Sequence, residues 1–328
     1  MFGFIESQQA KKIDMALEIF NGLFSHILSH LIKFKSELCQ IFKRTLEHES
    51  LDIKLAALKA TINYLSVADR SDTKDFTGLI PLLAGVVTTA FEEDDETVLE
   101  EALVEMIDLA EIEAGFFRAK FNNLYTAFKP IMEKSDFDKP TLRHMPMEFV
   151  VTMIEQKPTL AKKSNVLLKD VVEQTFKIMI DVDEEIDEAW LKPDDAFLGE
   201  DEEEPNVSFG KMVIDRLFAA VEDEKMLPVF DEYVNYVLDK ENWRYKQAGM
   251  MALAPIGEHI YGPSTIELMV PKVIKNCADV NPKIRYDALY CLTQLAEDMH
   301  AEFPPAFAGP TIPAATICLD DEVPRVQA

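Results

Sequence analysis

The sequence predicts an all-α protein, an α-solenoid in which antiparallel helix pairs stack into a superhelix. Three observations predict it. A turn followed by a basic residue opening an apolar helix recurs near the C-terminus, as Lys240-Glu-Asn-Trp-Arg-Tyr-Lys-Gln-Ala-Gly-Met-Met-Ala-Leu, Val280-Asn-Pro-Lys-Ile-Arg-Tyr-Asp-Ala-Leu and Glu322-Val-Pro-Arg-Val-Gln-Ala. With 48% hydrophobic residues and only 11 Gly, the chain has material for a large core but too few glycines for the hairpins of an all-β fold. Prolines at Pro81, Pro228, Pro271 and Pro313 mark the start of the other helix of each pair, since proline is tolerated in a helix's first turn.

Arg244, Arg285 and Arg325 fall about 40 residues apart, the period of two-helix HEAT or armadillo units. Asp239, Asp279 and Asp321 precede them, placed to pair with the arginine of their own or a neighbouring turn and staple successive units. Weaker copies open at Leu51, Glu96 and Asp138. Residues 1–328 therefore read as one array of about seven to eight HEAT repeats, and the apolar start Met1-Phe-Gly-Phe-Ile and the end at Pro324-Arg-Val-Gln-Ala read as cuts in a longer solenoid, which would need polar caps.

Between the copies at Asp138 and Lys240 there is room for two repeats of about 43 residues and a surplus of about 16. The surplus falls in an acidic loop, residues 181–206, inserted within one repeat. It carries Asp183, Glu184, Glu185, Asp194, Asp195, Glu202 and Glu203 against a single lysine, Lys192, and such a block cannot bury enough apolar surface to order itself. Trp190 and Phe197 within it favour a binding role over mere solvation.

The 33 basic and 59 acidic residues give a net charge of −26. A surface so negative repels nucleic-acid phosphates and anionic lipid, and it suits basic protein partners. The cysteines Cys39, Cys277, Cys291 and Cys318 form no CxxC pair and point to a reducing setting. The longest apolar windows, such as Leu79 to Ala90, are too short to cross a bilayer. The histidine pair His26 and His30 lacks the glutamate of a zinc-protease helix, and no phosphate loop or nucleophile elbow is present. No catalytic residue, metal ligand or cofactor is expected.

Each second helix ends in an acid at a matching place: Asp69, Glu111, Glu155, Asp215, Glu258 and Asp298. Their intervals are about 40 to 44 residues, except for about 60 across the acidic loop, as stacking of equivalent positions in a solenoid requires. A row of carboxylates follows, to which Glu297 adds a further charge. Such a row suits an extended basic peptide, because each lysine ammonium donates to one or two carboxylates.

These residues carry a resemblance. Asp215-Arg-Leu, Leu227-Pro, Asn242-Trp-Arg-Tyr-Lys-Gln-Ala-Gly through Glu258, Asn281-Pro-Lys-Ile-Arg-Tyr and Pro324-Arg-Val-Gln-Ala resemble the central HEAT repeats of the importin-β superfamily, importin β-3 type. The segment around Trp190, Pro193-Asp-Asp and Glu204-Pro-Asn-Val-Ser is similar to that family's acidic loop. The resemblance implies a monomeric nuclear import receptor that shuttles between cytoplasm and nucleus. It further implies cargo with Lys-rich localisation signals held by Asp215, Glu258 and Asp298, passage on Phe-Gly nucleoporins, and release by Ran-GTP bound mainly outside this chain. Two departures stand out: the stretch from Glu258 to Asp298 is slightly short for the family, and Pro255 removes a backbone donor and should kink the helix carrying Glu258. A different reading of the same array is a HEAT scaffold organising a multiprotein complex, for instance around a phosphatase.

Overall fold

The computed structural model describes residues 10–186, 188–191, 204–260 and 263–327. Every regular element among them is helical, and the chain forms two compact units, Met1–Leu160 and Ala161–Ala328.

In the first unit α1 (Ala10–Leu31), α3 (Leu51–Val67), α5 (Glu96–Phe117) and α7 (His144–Gln156) pack side by side in one row, while α2 (Lys35–Leu46), α4 (Ile80–Glu92) and α6 (Phe121–Glu133) form the other. Aromatic side chains fill the space between rows. Tyr64 and Phe76 have ring centroids 5.0 Å apart, and Phe149 meets Phe117 and Phe128 edge-on at 5.3 and 5.5 Å. Each such pair adds about 1 kcal/mol to the stabilisation from burial. Asp95 caps α5 by accepting from the Val98 N–H at 3.0 Å, and the backbone of α5 leaves helical geometry at Glu113, just past the predicted helix-end acid Glu111.

The second unit repeats the plan. Its first-helix row is α8 (Asn165–Ile180), α10 (Asp223–Leu238), α12 (Val270–Asn276) and α14 (Phe303–Cys318), and its second-helix row is α9 (Pro205–Ala220), α11 (Trp243–Leu253), α13 (Pro282–Asp298) and α15 (Pro324–Gln327). The recurrent turn seen in the sequence is a capping device. Asn242 accepts from the Arg244 N–H and Asn281 from the Lys283 N–H, both at 3.0 Å, satisfying orphan donors of the first turn. The acidic segment lies between α8 and α9.

One expected staple forms and the other acids change partners. Arg285 grips Asp321 of the following turn through two hydrogen bonds, at 2.5 and 2.7 Å. Asp279 is instead taken by Lys246 at 2.5 Å and Asp239 by Lys272 at 2.6 Å. Arg244 turns to the acidic segment, donating to Glu184 at 3.0 Å and to the Val182 carbonyl at 3.3 Å.

Two prolines do not start helices. Pro81 and Pro271 sit in the first turns of α4 and α12, but Pro228 and Pro313 lie inside α10 and α14. In α10 the apolar face begins earlier than the proline, with buried Met226, so packing extends the helix backwards through it. The segment Arg70–Glu92 is, by length and composition, long and apolar enough to cross a membrane, contrary to the sequence expectation. It is three consecutive helical pieces, and its Leu83, Val86 and Val87 are covered completely by neighbouring helices.

Candidate functional site

Pro255 decides the local geometry. It lacks an N–H and cannot continue an α-helical ladder, so α11 stops at Leu253 and passes into a 3₁₀ turn, Ala254–Glu258. That turn packs on both α9 and α13. Glu258 thereby reaches a cavity of about 240 Å³ whose lining also includes Asp215 from α9 and Asp298 from the end of α13, together with Lys211, Tyr290 and Gln294. The kink expected at Pro255 is present, and three successive repeats still contribute one carboxylate each to the same cavity.

The three acids are held differently. Glu258 is exposed. Asp215 Oδ1 lies 2.6 Å from His259 Nε2, whose ring stacks on Phe218 at 6.0 Å, so the imidazole fixes the aspartate's direction. Asp298 Oδ1 accepts from Gln294 Nε2 at 3.0 Å, while its Oδ2 is buried without a hydrogen-bond partner among the described residues. Burial pushes the Asp298 carboxyl above the usual aspartate value, and the neighbouring Glu258 charge adds to the rise. An ammonium entering here meets an acceptor that is already desolvated. Lys211 stands at the edge, donating to the Tyr290 hydroxyl at 2.9 Å and lying over its ring.

Glu297 is exposed and outside this lining, because neighbours in a helix point about 100° apart. Upstream, Asp69 and Glu111 are exposed and Glu155 is half-buried.

The described part of the acidic segment is docked rather than free. A short helical turn, Glu188–Leu191, sets Trp190 edge-on to Tyr286 at 5.7 Å. Lys283 Nζ lies 5.1 Å and the Arg325 guanidinium 5.5 Å from the tryptophan ring centre. Cation–π attraction and apolar contact thus order what charge alone would leave solvated. Asp183, Glu184 and Glu185 are exposed beside it; Asp194, Asp195, Phe197, Glu202 and Glu203 lie outside the described residues.

Two family profiles match the chain, one described as IPO5-like TPR repeats over residues 1–127 and one as importin repeat over residues 134–228. A curated relative, importin subunit beta-3 of Saccharomyces cerevisiae, is 22% identical over 266 residues, which is 79% of this chain and 24% of that protein.

The chain belongs to the importin-β superfamily.

It spans about a quarter of that relative's length. Solved structures of Kap121p share the fold across 99% of the chain: a mutant with three acids changed to lysine has a TM-score of 0.88 at 20% identity, and the complexes with Pho4p and RanGTP score 0.86 and 0.85 at 21% identity. The chain covers about a third of each, 31 to 32%. The fold is thus an all-α solenoid here as there, and the relatives are karyopherin transport receptors.

Proposed function

We propose that this chain is the cargo-holding part of a nuclear import receptor, and that Asp215, Glu258 and Asp298 grip the lysines of a basic localisation signal. The observation that carries the reading is the single cavity lined by one carboxylate from each of three successive repeats. An extended peptide meets such acids in turn, and its ammonium groups replace lost hydration with charge-assisted hydrogen bonds. In a Kap121p mutant of similar fold, the altered residues are Asp, Glu and Asp in chain order, at repeat-length intervals; the same order occurs here. Other Kap121p structures hold Pho4p, Nup53p or RanGTP, and by that likeness the intact receptor shuttles through the nuclear pore on Phe-Gly nucleoporins and releases cargo to Ran-GTP.

The test is fluorescence anisotropy of a labelled Lys-rich peptide against the wild-type chain and a triple Ala variant at the three acids. Hydrogen bonds to charged groups contribute about 1.5 to 3 kcal/mol each, so the variant should lose at least about a hundredfold in affinity. Wild-type affinity should also fall as salt rises. Equal binding by the two proteins would remove the three acids from the cargo site.

A further inference from the structure

A second, larger cavity of about 470 Å³ opens in the same unit beneath Trp190. Four aromatic side chains wall it: Trp190 from the acidic segment, Trp243 from the first turn of α11, and Tyr286 and Tyr290 from α13. Asp183, Glu185, Glu204 and Asp287 also line it, against one cation, Lys283. Its floor holds Gln247, only 2% exposed. The Gln247 Nε2 donates to Asp287 Oδ2 at 2.9 Å, and Oε1 is buried without a partner among the described residues.

We propose that this cavity is a binding site for an arginine side chain of a basic peptide.

The chemistry selects that occupant. An apolar side chain would leave the carboxylates desolvated and the Gln247 acceptor unpaired, at a cost of a lost hydrogen bond in a buried setting. A lysine brings charge, but it is a compact, strongly hydrated point that gains little from stacking. A guanidinium is flat, weakly hydrated and carries a fork of N–H donors, so it stacks on aromatic faces while donating sideways. The Trp190 ring already takes two cations of its own chain, Lys283 and Arg325. Burial raises the Glu204 carboxyl above its usual value, a penalty that an adjacent cation relieves. Tyr290 lines both this cavity and the one holding Asp215, Glu258 and Asp298, so one peptide can place lysines in the second and an arginine in the first.

The proposal rests on the reading of this chain as a receptor for basic peptides, and its test separates the two. Trp190 and Trp243 are the chain's only tryptophans, and both line this cavity, so intrinsic tryptophan emission reports its occupancy directly. The wild-type chain is titrated with N-acetyl-arginine amide, N-acetyl-lysine amide, and two labelled peptides that differ by one Lys→Arg change. The arginine compounds should alter the emission saturably and the lysine compounds should not. Tyr286→Leu and Trp190→Ala should each weaken the arginine peptide about tenfold by removing a cation–π contact. Gln247→Met should weaken it about tenfold by removing the acceptor for a charged donor, and all three should leave the all-lysine peptide unchanged. Trp190→Ala alters only the docked segment, so its loss of arginine preference counts even if Gln247→Met unfolds. Equal emission changes with arginine and lysine, or none with either, would overturn the proposal. If the amide moves the emission while neither peptide binds by anisotropy, the arginine site stands and the cargo reading falls.

Discussion

Gly257 lies directly against Asp298: a β-carbon placed on the glycine would stand 2.7 Å from the Asp298 Cβ. Only a residue without a side chain lets the 3₁₀ turn run so near the end of α13, and that approach is what brings Glu258 and Asp298 to one cavity. Gly257→Ala should therefore displace Asp298 and cost about 1 to 3 kcal/mol by overpacking. Urea denaturation measures the cost, and peptide anisotropy should show weaker binding in parallel. In an Asp298→Gly background the added cost of Gly257→Ala should shrink, because both the β-carbon and the carboxylate that the new methyl meets are gone; an undiminished cost in that double-mutant cycle would place the strain elsewhere.

Arg285 and Asp321 join consecutive repeats with side chains only 11% and 7% exposed. Arg285 holds the Asp321 carboxyl below the usual aspartate range through its hydrogen bonds. A depressed folded-state value means stability that is full above the ordinary aspartate range and is lost as pH falls through the folded value. Asp321→Asn should cost about 3 kcal/mol at neutral pH by leaving a largely buried guanidinium unpaired. Its urea midpoint should also decline less steeply in acid than that of the wild type, and parallel acid limbs in the two proteins would contradict the assignment.

The array was legible because its signals are local. The recurrent turns mark helix starts, which the Asn242 and Asn281 side chains cap, and Pro255 marks the kink that the 3₁₀ turn Ala254–Glu258 forms. The spacing of Asp215, Glu258 and Asp298 is what brings them to one cavity, since stacked repeats place equivalent positions together, whereas Asp69, Glu111 and Glu155 are not part of that lining. Glu297 lies outside the lining that holds its neighbour Asp298, because adjacent residues in a helix point about 100° apart. The aromatic cavity was not legible: Trp243, Gln247, Tyr286 and Tyr290 sit at core-like helical spacings, and what turns them into a binding wall is Trp190, delivered from a distant acidic segment. That the chain's only tryptophans occur in the acidic stretch and in the recurrent turn was the available clue.

The acid cavity should bind in a pH-dependent way. Burial, and the Glu258 charge after it, raise the Asp298 carboxyl, so Asp298 takes up a proton at a higher pH than an ordinary aspartate and then no longer attracts an ammonium. Affinity for a Lys-rich peptide should begin to fall, as pH is lowered, before the ordinary aspartate range is reached. Asp298→Asn should bind more weakly at neutral pH and show a flatter profile. Anisotropy at constant ionic strength decides it, with His259→Asn as the common background so that the imidazole beside Asp215 adds nothing. Superimposable profiles would assign the titration to another group.

The thiols report the packing between repeats independently of any ligand. Cys277, Cys291 and Cys318 are buried and Cys39 is half-buried. Desolvation pushes the Cys277 thiol up to about 12 and raises those of Cys291 and Cys318 as well. Cys318 further donates its S–H to the Cys277 carbonyl at 3.4 Å, tying α14 to the end of α12. Because the thiolate is the attacking species, an aromatic disulfide reagent at about pH 8 should modify the native protein at Cys39 first and leave the other three for slow local opening. All four should react at once in denaturant, with mass spectrometry of tryptic peptides identifying each site. Fast native labelling of Cys277 or Cys291 would mean that α12 and α13 do not pack as described.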